Sequence, residues 1–193
     1  MKMIEELLTY DTELFLYLNN LGNETWDGLW RLITNKLTFI PLYALFLFLV
    51  YKKFGIKGMI VIIVCAALMI TTADQLANLF KHGFQRPRPC KEEELQELMR
   101  FVVDRCGRYG YFSGHAVNSM ATAVFMGLLF KKDFYYLPFI LLFWAFLVGY
   151  SRIYVGVHYP LDVLTGMIFG GLLGWIYYRL QLILQRRFVK KSN

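Results

Sequence analysis

An all-α bundle of membrane-spanning helices is the fold class this sequence predicts, on three observations. Of 193 residues, 57% are hydrophobic and only 18% are charged, with 17 Phe, 13 Tyr and 4 Trp, and the mean hydropathy is +0.42. A soluble domain runs nearer ~45–50% apolar and ~25% charged. Long stretches are almost free of charge: 58–80 is broken only by Asp74, 109–130 by no Asp, Glu, Lys or Arg, 134–151 by none, and 153–178 only by Asp162. Lys and Arg collect between alternate stretches, as the positive-inside rule requires of a chain that weaves through a bilayer. This composition excludes a disordered chain. The net charge of +7 is too small and too scattered among apolar segments to suggest a nucleic-acid partner.

Residues 4–20 set Glu5, Glu6, Asp11 and Glu13 against Ile4, Leu7, Leu8, Leu14, Phe15, Leu16 and Leu18. That pattern predicts an amphipathic helix lying in the membrane interface. It lacks the basic start, short apolar core and small-residue cleavage site of a removed signal peptide. A further apolar stretch, 37–51, is too short for the roughly 20 residues of a span, so that span is expected to begin upstream near Thr25, with Arg31 and Lys36 toward its outer end. The expected count is five transmembrane helices, or six if the amino-terminal helix also crosses. The chain reads as one domain, 1–193: an interfacial helix over 1–24, a transmembrane core over 25–178, and a basic tail over 179–193.

Orientation follows from charge. Lys52, Lys53 and Lys57 follow the first span, Lys131 and Lys132 the third, and Arg179, Arg186, Arg187, Lys190 and Lys191 the fifth, with Asp133 the only acid among them. That side is expected to be cytoplasmic. The opposite, outer side holds the amino-terminal helix, the long 81–113 segment and residues 151–162. Cys65 sits mid-span as an apolar filler. Cys90 and Cys106 share the outer loop, where an oxidising compartment permits a disulfide.

Three clusters fall on the outer side. The first is Lys81 to Pro89, where Asp74, Asn78 and Lys81 follow one helix face and Pro87 and Pro89 stop the helix; snorkelling cations capping a span would look similar. The second is Tyr111-Phe-Ser113-Gly114-His115. A small Ser-Gly pair opening a helix exposes backbone N–H groups and the positive end of the helix dipole to an anion such as phosphate, although Ser is also an ordinary N-cap. The third is Ser151-Arg152 through His158 and Pro160 to Asp162. His158 and Asp162 lie four apart, so a carboxylate one turn on can fix the imidazole's tautomer and leave its other nitrogen free to attack. An ionisable Asp just inside a span is costly and points to function. Fixed cations, an anion-cradling helix start and two histidines together fit phosphoryl transfer. No cluster of His, Cys or carboxylates has metal-ligand spacing.

At these residues the chain resembles the type 2 phosphatidic acid phosphatase family, membrane lipid phosphatases sharing a core with vanadium haloperoxidases. The family pattern is Lys-x6-Arg-Pro, Pro-Ser-Gly-His, then Ser-Arg-x5-His-x3-Asp. Here it reads Lys81 to Arg88-Pro89, Phe112-Ser113-Gly114-His115, and Ser151-Arg152 to His158 to Asp162, with Phe112 in place of the usual Pro and a less rigid approach to that helix expected. The resemblance implies that His158 is the nucleophile and forms a phosphohistidine, that Asp162 orients it, and that His115 is the general acid. It implies that Lys81, Arg88, Ser113, the Gly114 backbone and Arg152 bind phosphate, and that the family needs no metal or other cofactor.

The implied substrate is a lipid phosphate whose tail stays in the bilayer, met at the outer face of a bacterial inner membrane. Undecaprenyl pyrophosphate is the first expectation; a lipid A phosphatase is the near alternative, followed by phosphatidylglycerophosphate or phosphatidic acid phosphatases. A membrane anion or lipid transporter would also gather cations, but it should line a path across the bilayer with polar groups; here they stop at one side. Gly166, Gly170 and Gly174 recur at intervals of four, as close helix packing in lipid requires. The sequence leaves oligomeric state open.

Overall fold

In the computed structural model, which describes residues 2–189, six α-helices account for most of the chain: α1 (Lys2–Asn20), α2 (Glu24–Thr34), α3 (Ile40–Phe84), α4 (Gly114–Phe130), α5 (Leu137–Tyr154) and α6 (Pro160–Phe188). Helices α3, α5 and α6 are long and apolar enough to cross a membrane, and α4 is a shorter apolar helix. The Lys190 and Lys191 end of the basic tail lies outside the described residues.

Helix α3 folds back on itself. Gly55 adopts φ 63° and ψ −176°, a left-handed conformation that costs glycine little. At this end Lys53 pairs with Asp133 of the α4–α5 turn, and the Gln185 side chain of α6 donates to the Gly58 carbonyl. At the other end a Cβ on Gly114 would lie 3.7 Å from Lys81 Nζ. The limbs 40–54 and 56–84 therefore run back to back, with Val50 and Ile62 lining the same cavity.

The core is built on α4, which buries Ala116, Val117, Ala121, Phe125, Leu129 and Phe130 among others. Helix α6 approaches it through the glycine stripe. A Cβ would stand 2.8 Å from the Ser113 carbonyl at Gly166, 2.4 Å from the Val117 carbonyl at Gly170, and 2.6 Å from the Ala121 carbonyl at Gly174. Backbone contact of this kind replaces the hydrophobic driving force that lipid does not supply. The outward faces are apolar: Phe48, Ile60, Ile63 and Leu68 on α3, Phe139, Phe143 and Phe146 on α5, and Ile168, Leu172 and Trp175 on α6 are exposed.

The first apolar limb starts later than the sequence suggested. Asn35 caps a 3₁₀ turn over Lys36–Phe39, Pro41 sits in the first turn of α3, and the limb runs from Ile40 rather than from near Thr25. Residues 24–34 instead form α2, which is tied to the 85–113 segment. Asp27 accepts both Arg100 Nη2 bonds, at 2.9 and 2.8 Å, and Arg31 Nε donates to the Val102 carbonyl at 2.7 Å. Helix α1 exposes Leu7, Leu8 and Leu14 and buries Asp11, Phe15 and Asn19. Asn19 Nδ2 donates to the carbonyls of Arg100, Ile153 and Tyr154, and its Oδ1 accepts from Arg100 N–H at 2.7 Å. The amphipathic helix is thus clamped to the α5 terminus by its polar stripe.

Candidate active site

All three motif clusters meet at the end of the bundle opposite Gly55. Lys81 is in the last turn of α3, Ser113 and Gly114 open α4, Arg152 is in the last turn of α5, and Asp162 is in the first turn of α6. The 85–113 segment covers them and brings Arg88. One backbone bond couples two of these helix starts: Ser113 N–H donates to the Asp162 carbonyl at 2.9 Å. Ser113 is buried and its hydroxyl caps α4 by accepting from Ala116 N–H, and the Gly114 and His115 N–H groups of the first turn have no partner within the helix.

The histidine and aspartate at spacing four form a pair. His158 Nδ1 lies 3.1 Å from Asp162 Oδ2, and the same oxygen accepts Tyr159 N–H at 3.2 Å. The side chains are 2% and 0% exposed, so neither oxygen nor ring nitrogen is shared with bulk water. With Nδ1 committed to the carboxylate, Nε2 is the nitrogen left to react. Burial, together with the charges of Arg88, Arg152 and Lys81, holds the His158 pKa well below the usual imidazole value, which favours the neutral ring at physiological pH.

The cations are placed by backbone. Arg88 Nε donates to the Tyr109 carbonyl at 3.0 Å, and Pro87 and Tyr109 form an isolated antiparallel bridge. Burial draws the Arg88 pKa down, yet a guanidinium remains charged. Arg152 Nη1 donates to Thr34 Oγ1, and its Nε is buried without a protein partner. The carbonyl of Arg152 accepts from Val157 and His158 N–H, which folds the turn so that His158 returns beside its own motif. Cys90 and Cys106 are joined by a disulfide, with Cα atoms 6.5 Å apart, closing the loop that carries Arg88.

Phe112, standing where the resemblance leads one to expect Pro, is fully buried. It stacks on Phe169 at 5.2 Å and meets Phe80 edge-on at 5.1 Å, so aromatic packing from α3 and α6 holds the approach to α4 that a proline ring would otherwise restrict. His115, one residue into α4, lines a cavity of about 470 Å³ between α3, α4 and α5 with Ile33, Phe39, Ala66, Met69 and Trp144. Asp74, from the polar stripe, lies in the same cavity and accepts Asn118 Nδ2 at 2.8 Å. Among the described residues no group of three or more His, Cys, Asp or Glu is arranged to hold a metal ion.

Three residues of the site escaped the motifs. Arg86 reaches Asp162 Oδ1 at 3.1 Å and Asp11 at 2.7 Å. Gly110 lies against the pair, since a Cβ there would stand 3.0 Å from Asp162 Oδ2, 3.1 Å from Arg88 Cγ and 3.5 Å from His158 Nδ1. Arg86, two residues before Arg88 in a Pro-punctuated stretch, carried a sequence signal as an extra cation. Asp11 carried none, because an acid on an amphipathic helix reads as solvated.

The PAP2 superfamily profile matches residues 62–186, about two thirds of the chain. The chain is 37% identical to a lipid A 4'-phosphatase of Bacteroides thetaiotaomicron, over 91% of its own length and 79% of that protein's. It is 32% identical to a lipid A 4'-phosphatase of Porphyromonas gingivalis, over 98% and 80%, and 31% identical to an undecaprenyl-diphosphatase of Sulfolobus acidocaldarius, over 90% and 78%. The crystal structure of LpxE from Aquifex aeolicus superposes with a TM-score of 0.67 at 28% identity, covering 87% of this chain and 94% of that one. A PAP2-type phosphatidylglycerolphosphate phosphatase from Bacillus subtilis shares the fold, with a TM-score of 0.74 at 19% identity, over 94% and 89%. With its apolar helices, ordered motifs and buried histidine–aspartate pair, the chain belongs to the PAP2 superfamily as a multi-pass membrane phosphatase, a hydrolase acting on lipid phosphate.

Proposed function

We propose that the chain removes a phosphate from a lipid A-type headgroup at the outer face of a bacterial inner membrane, through a phosphohistidine on His158. The observation that carries the mechanism is the His158 Nδ1–Asp162 contact at 3.1 Å in a buried turn, which leaves Nε2 free. Nε2 attacks phosphorus as the bond from phosphorus to the leaving oxygen breaks, and His115 gives that oxygen its proton. Lys81, Arg88 and Arg152, with the Ser113 hydroxyl and the Gly114 N–H, neutralise the equatorial oxygens where charge develops. Water, deprotonated by His115, then attacks the phosphohistidine, releasing inorganic phosphate and restoring both histidines.

The choice of lipid rests on the relatives. Two lipid A 4'-phosphatases align over nearly the whole chain, which favours a lipid A phosphate over the undecaprenyl pyrophosphate expected from the motifs. The undecaprenyl-diphosphatase at 31% identity keeps the diphosphate as the second reading. The half-open apolar cavity beside His115 suits a leaving group that continues into a lipid tail. A count of five crossings, taking the limbs 40–54 and 56–84 of α3 with α4, α5 and α6, supports a site on the side opposite the Lys-rich turns.

The test is phosphate release by the detergent-purified protein on lipid A, undecaprenyl pyrophosphate, phosphatidylglycerophosphate and phosphatidic acid, with EDTA present, for wild type beside His158→Ala. Release fastest on lipid A and abolished in a folded variant is the expected result. Fastest release on undecaprenyl pyrophosphate overturns the substrate, and undiminished release in His158→Ala overturns the mechanism.

A further inference from the structure

Asp11 lies outside every motif and Arg86 at an unspecified position of the first, yet the site is built against them. Arg86 Nη1 donates to Asp162 Oδ1 at 3.1 Å, and Nη2 donates to Asp11 Oδ2 at 2.7 Å. The other Asp11 oxygen accepts Leu161 N–H at 2.8 Å, at the second residue of the helix that Asp162 opens. The guanidinium lies over the Tyr159 ring, 3.9 Å from its centroid, and Phe15 closes that ring from α1, edge-on at 5.4 Å. The Asp11 side chain is 1% exposed and that of Arg86 16%. A carboxylate on an interfacial helix has water and headgroups at hand, so burying it is costly unless its charge is fully used. Burial raises its pKa, and the Leu161 N–H and Arg86 oppose that rise.

We infer that Asp11 and Arg86 are positioning residues for the histidine nucleophile, resting on the phosphatase reading above. Arg86 fixes the Oδ1 side of Asp162 and so aims Oδ2 at His158, while Asp11 fixes Arg86. Their charges matter as well as their geometry. His158 faces Lys81 from α3, Arg152 from α5, and Arg86 and Arg88 from the 85–113 segment, with His115 on α4. Against Lys81, Arg152, Arg86 and Arg88 stand Asp162 and Asp11, with Glu92 beside Tyr159. When Nε2 bonds to phosphorus and the leaving oxygen takes its proton from His115, the ring retains its Nδ1 proton and gains positive charge. Asp162 alone is offset by Arg86; Asp11 restores one net negative charge to the pair beside the ring.

The experiment measures kcat, KM and the pH profile of kcat/KM for the full-length protein on lipid A in detergent. Its variants are Asp11→Asn, Arg86→Gln and the double variant, with Glu13→Gln on the exposed face of α1 as control. Asp11→Asn keeps an acceptor for Leu161 N–H and removes the negative charge together with the oxygen that accepts from Arg86. In it kcat falls roughly tenfold with KM little changed, the scale on which outer partners of a reacting group act. Removing a negative charge favours the deprotonated pair, so the acid limb moves to lower pH in Asp11→Asn. It moves to higher pH in Arg86→Gln and lies between the two in the double variant. Glu13→Gln keeps the wild-type profile. Should a single variant fail to fold, the charge-balanced double variant decides: a lowered kcat with the limb near its wild-type position supports the relay, and a wild-type kcat overturns it. Folded single variants whose limbs stay put or move together also overturn it while leaving the phosphatase standing. Wild type inactive on every lipid phosphate removes the phosphatase reading and the relay with it.

Discussion

At the scale of single residues, the site works by denying its histidine any partner other than Asp162. In the proposed mechanism a neutral ring attacks, and burial among cations keeps His158 neutral by lowering its pKa well below 6.5. A lowered pKa keeps the deprotonated form present to lower pH, so the acid limb of kcat/KM is expected below 6.5 rather than near it. A pH–rate profile on a soluble-chain lipid substrate checks this, and a limb at or above 6.5 contradicts it. Gly110 makes a second prediction. Its missing Cβ leaves room for Asp162 Oδ2 at 3.0 Å and Arg88 Cγ at 3.1 Å. In Gly110→Ala one of the two must yield by a few tenths of an ångström. Activity is expected to fall by about 10- to 100-fold, since displacements well under 1 Å cost rate at a reacting centre, with little change in melting temperature. The His158–Asp162 pair was legible because spacing four on a helix start is a local property. The Asp11–Arg86 contact was not, because it joins residues 75 apart in sequence, and no periodicity records such a meeting.

At the scale of elements, what the sequence made plain was apolar run and glycine period, and what it hid was where helices break. The stripe of Gly166, Gly170 and Gly174 was read as a packing face, and α6 meets the α4 backbone through it. The break at Asn35 was invisible to hydropathy because it depends on α2 having a partner elsewhere: Asp27 and Arg31 bind Arg100 and the Val102 carbonyl. Those bonds draw residues 24–34 onto the outer segment. The fold-back at Gly55 was legible only as a Lys-flanked gap between apolar runs. Gly170→Val tests the stripe. Its Cβ would fall 2.4 Å from the Val117 carbonyl and 2.9 Å from Met120 Cβ, both on α4, so the helices must part. Overpacking of this kind costs about 1–3 kcal/mol or more. The expected result is a melting temperature in detergent clearly below wild type, with Gly171→Ala, which has only a 4.0 Å neighbour at Met120, close to wild type.

At the scale of the whole molecule, chemistry and charge are segregated to opposite ends. Lys53 pairs with Asp133 at the end that carries Lys131 and Lys132, while the catalytic motifs, α1 and the Cys90–Cys106 disulfide gather at the other. Two independent physical rules then give one orientation. Lys-rich turns remain cytoplasmic, and a disulfide persists in an oxidising compartment; both support the outward-facing site proposed above, with α1 beside it. An odd number of crossings requires the chain's two ends to lie on opposite sides. Single cysteines introduced at Glu5, Lys131 and Arg186 test this in intact cells with a membrane-impermeant maleimide, against a background where Cys65 is buried and the other two cysteines are bonded to each other. Labelling is expected at position 5 alone until the membrane is permeabilised, when 131 and 186 also label. Labelling of 5 and 186 from the same side would mean that α1 crosses the bilayer. In that case its Asp11 could not rest on Leu161 N–H and Arg86, so the topology experiment also bears on the contacts that hold the nucleophile.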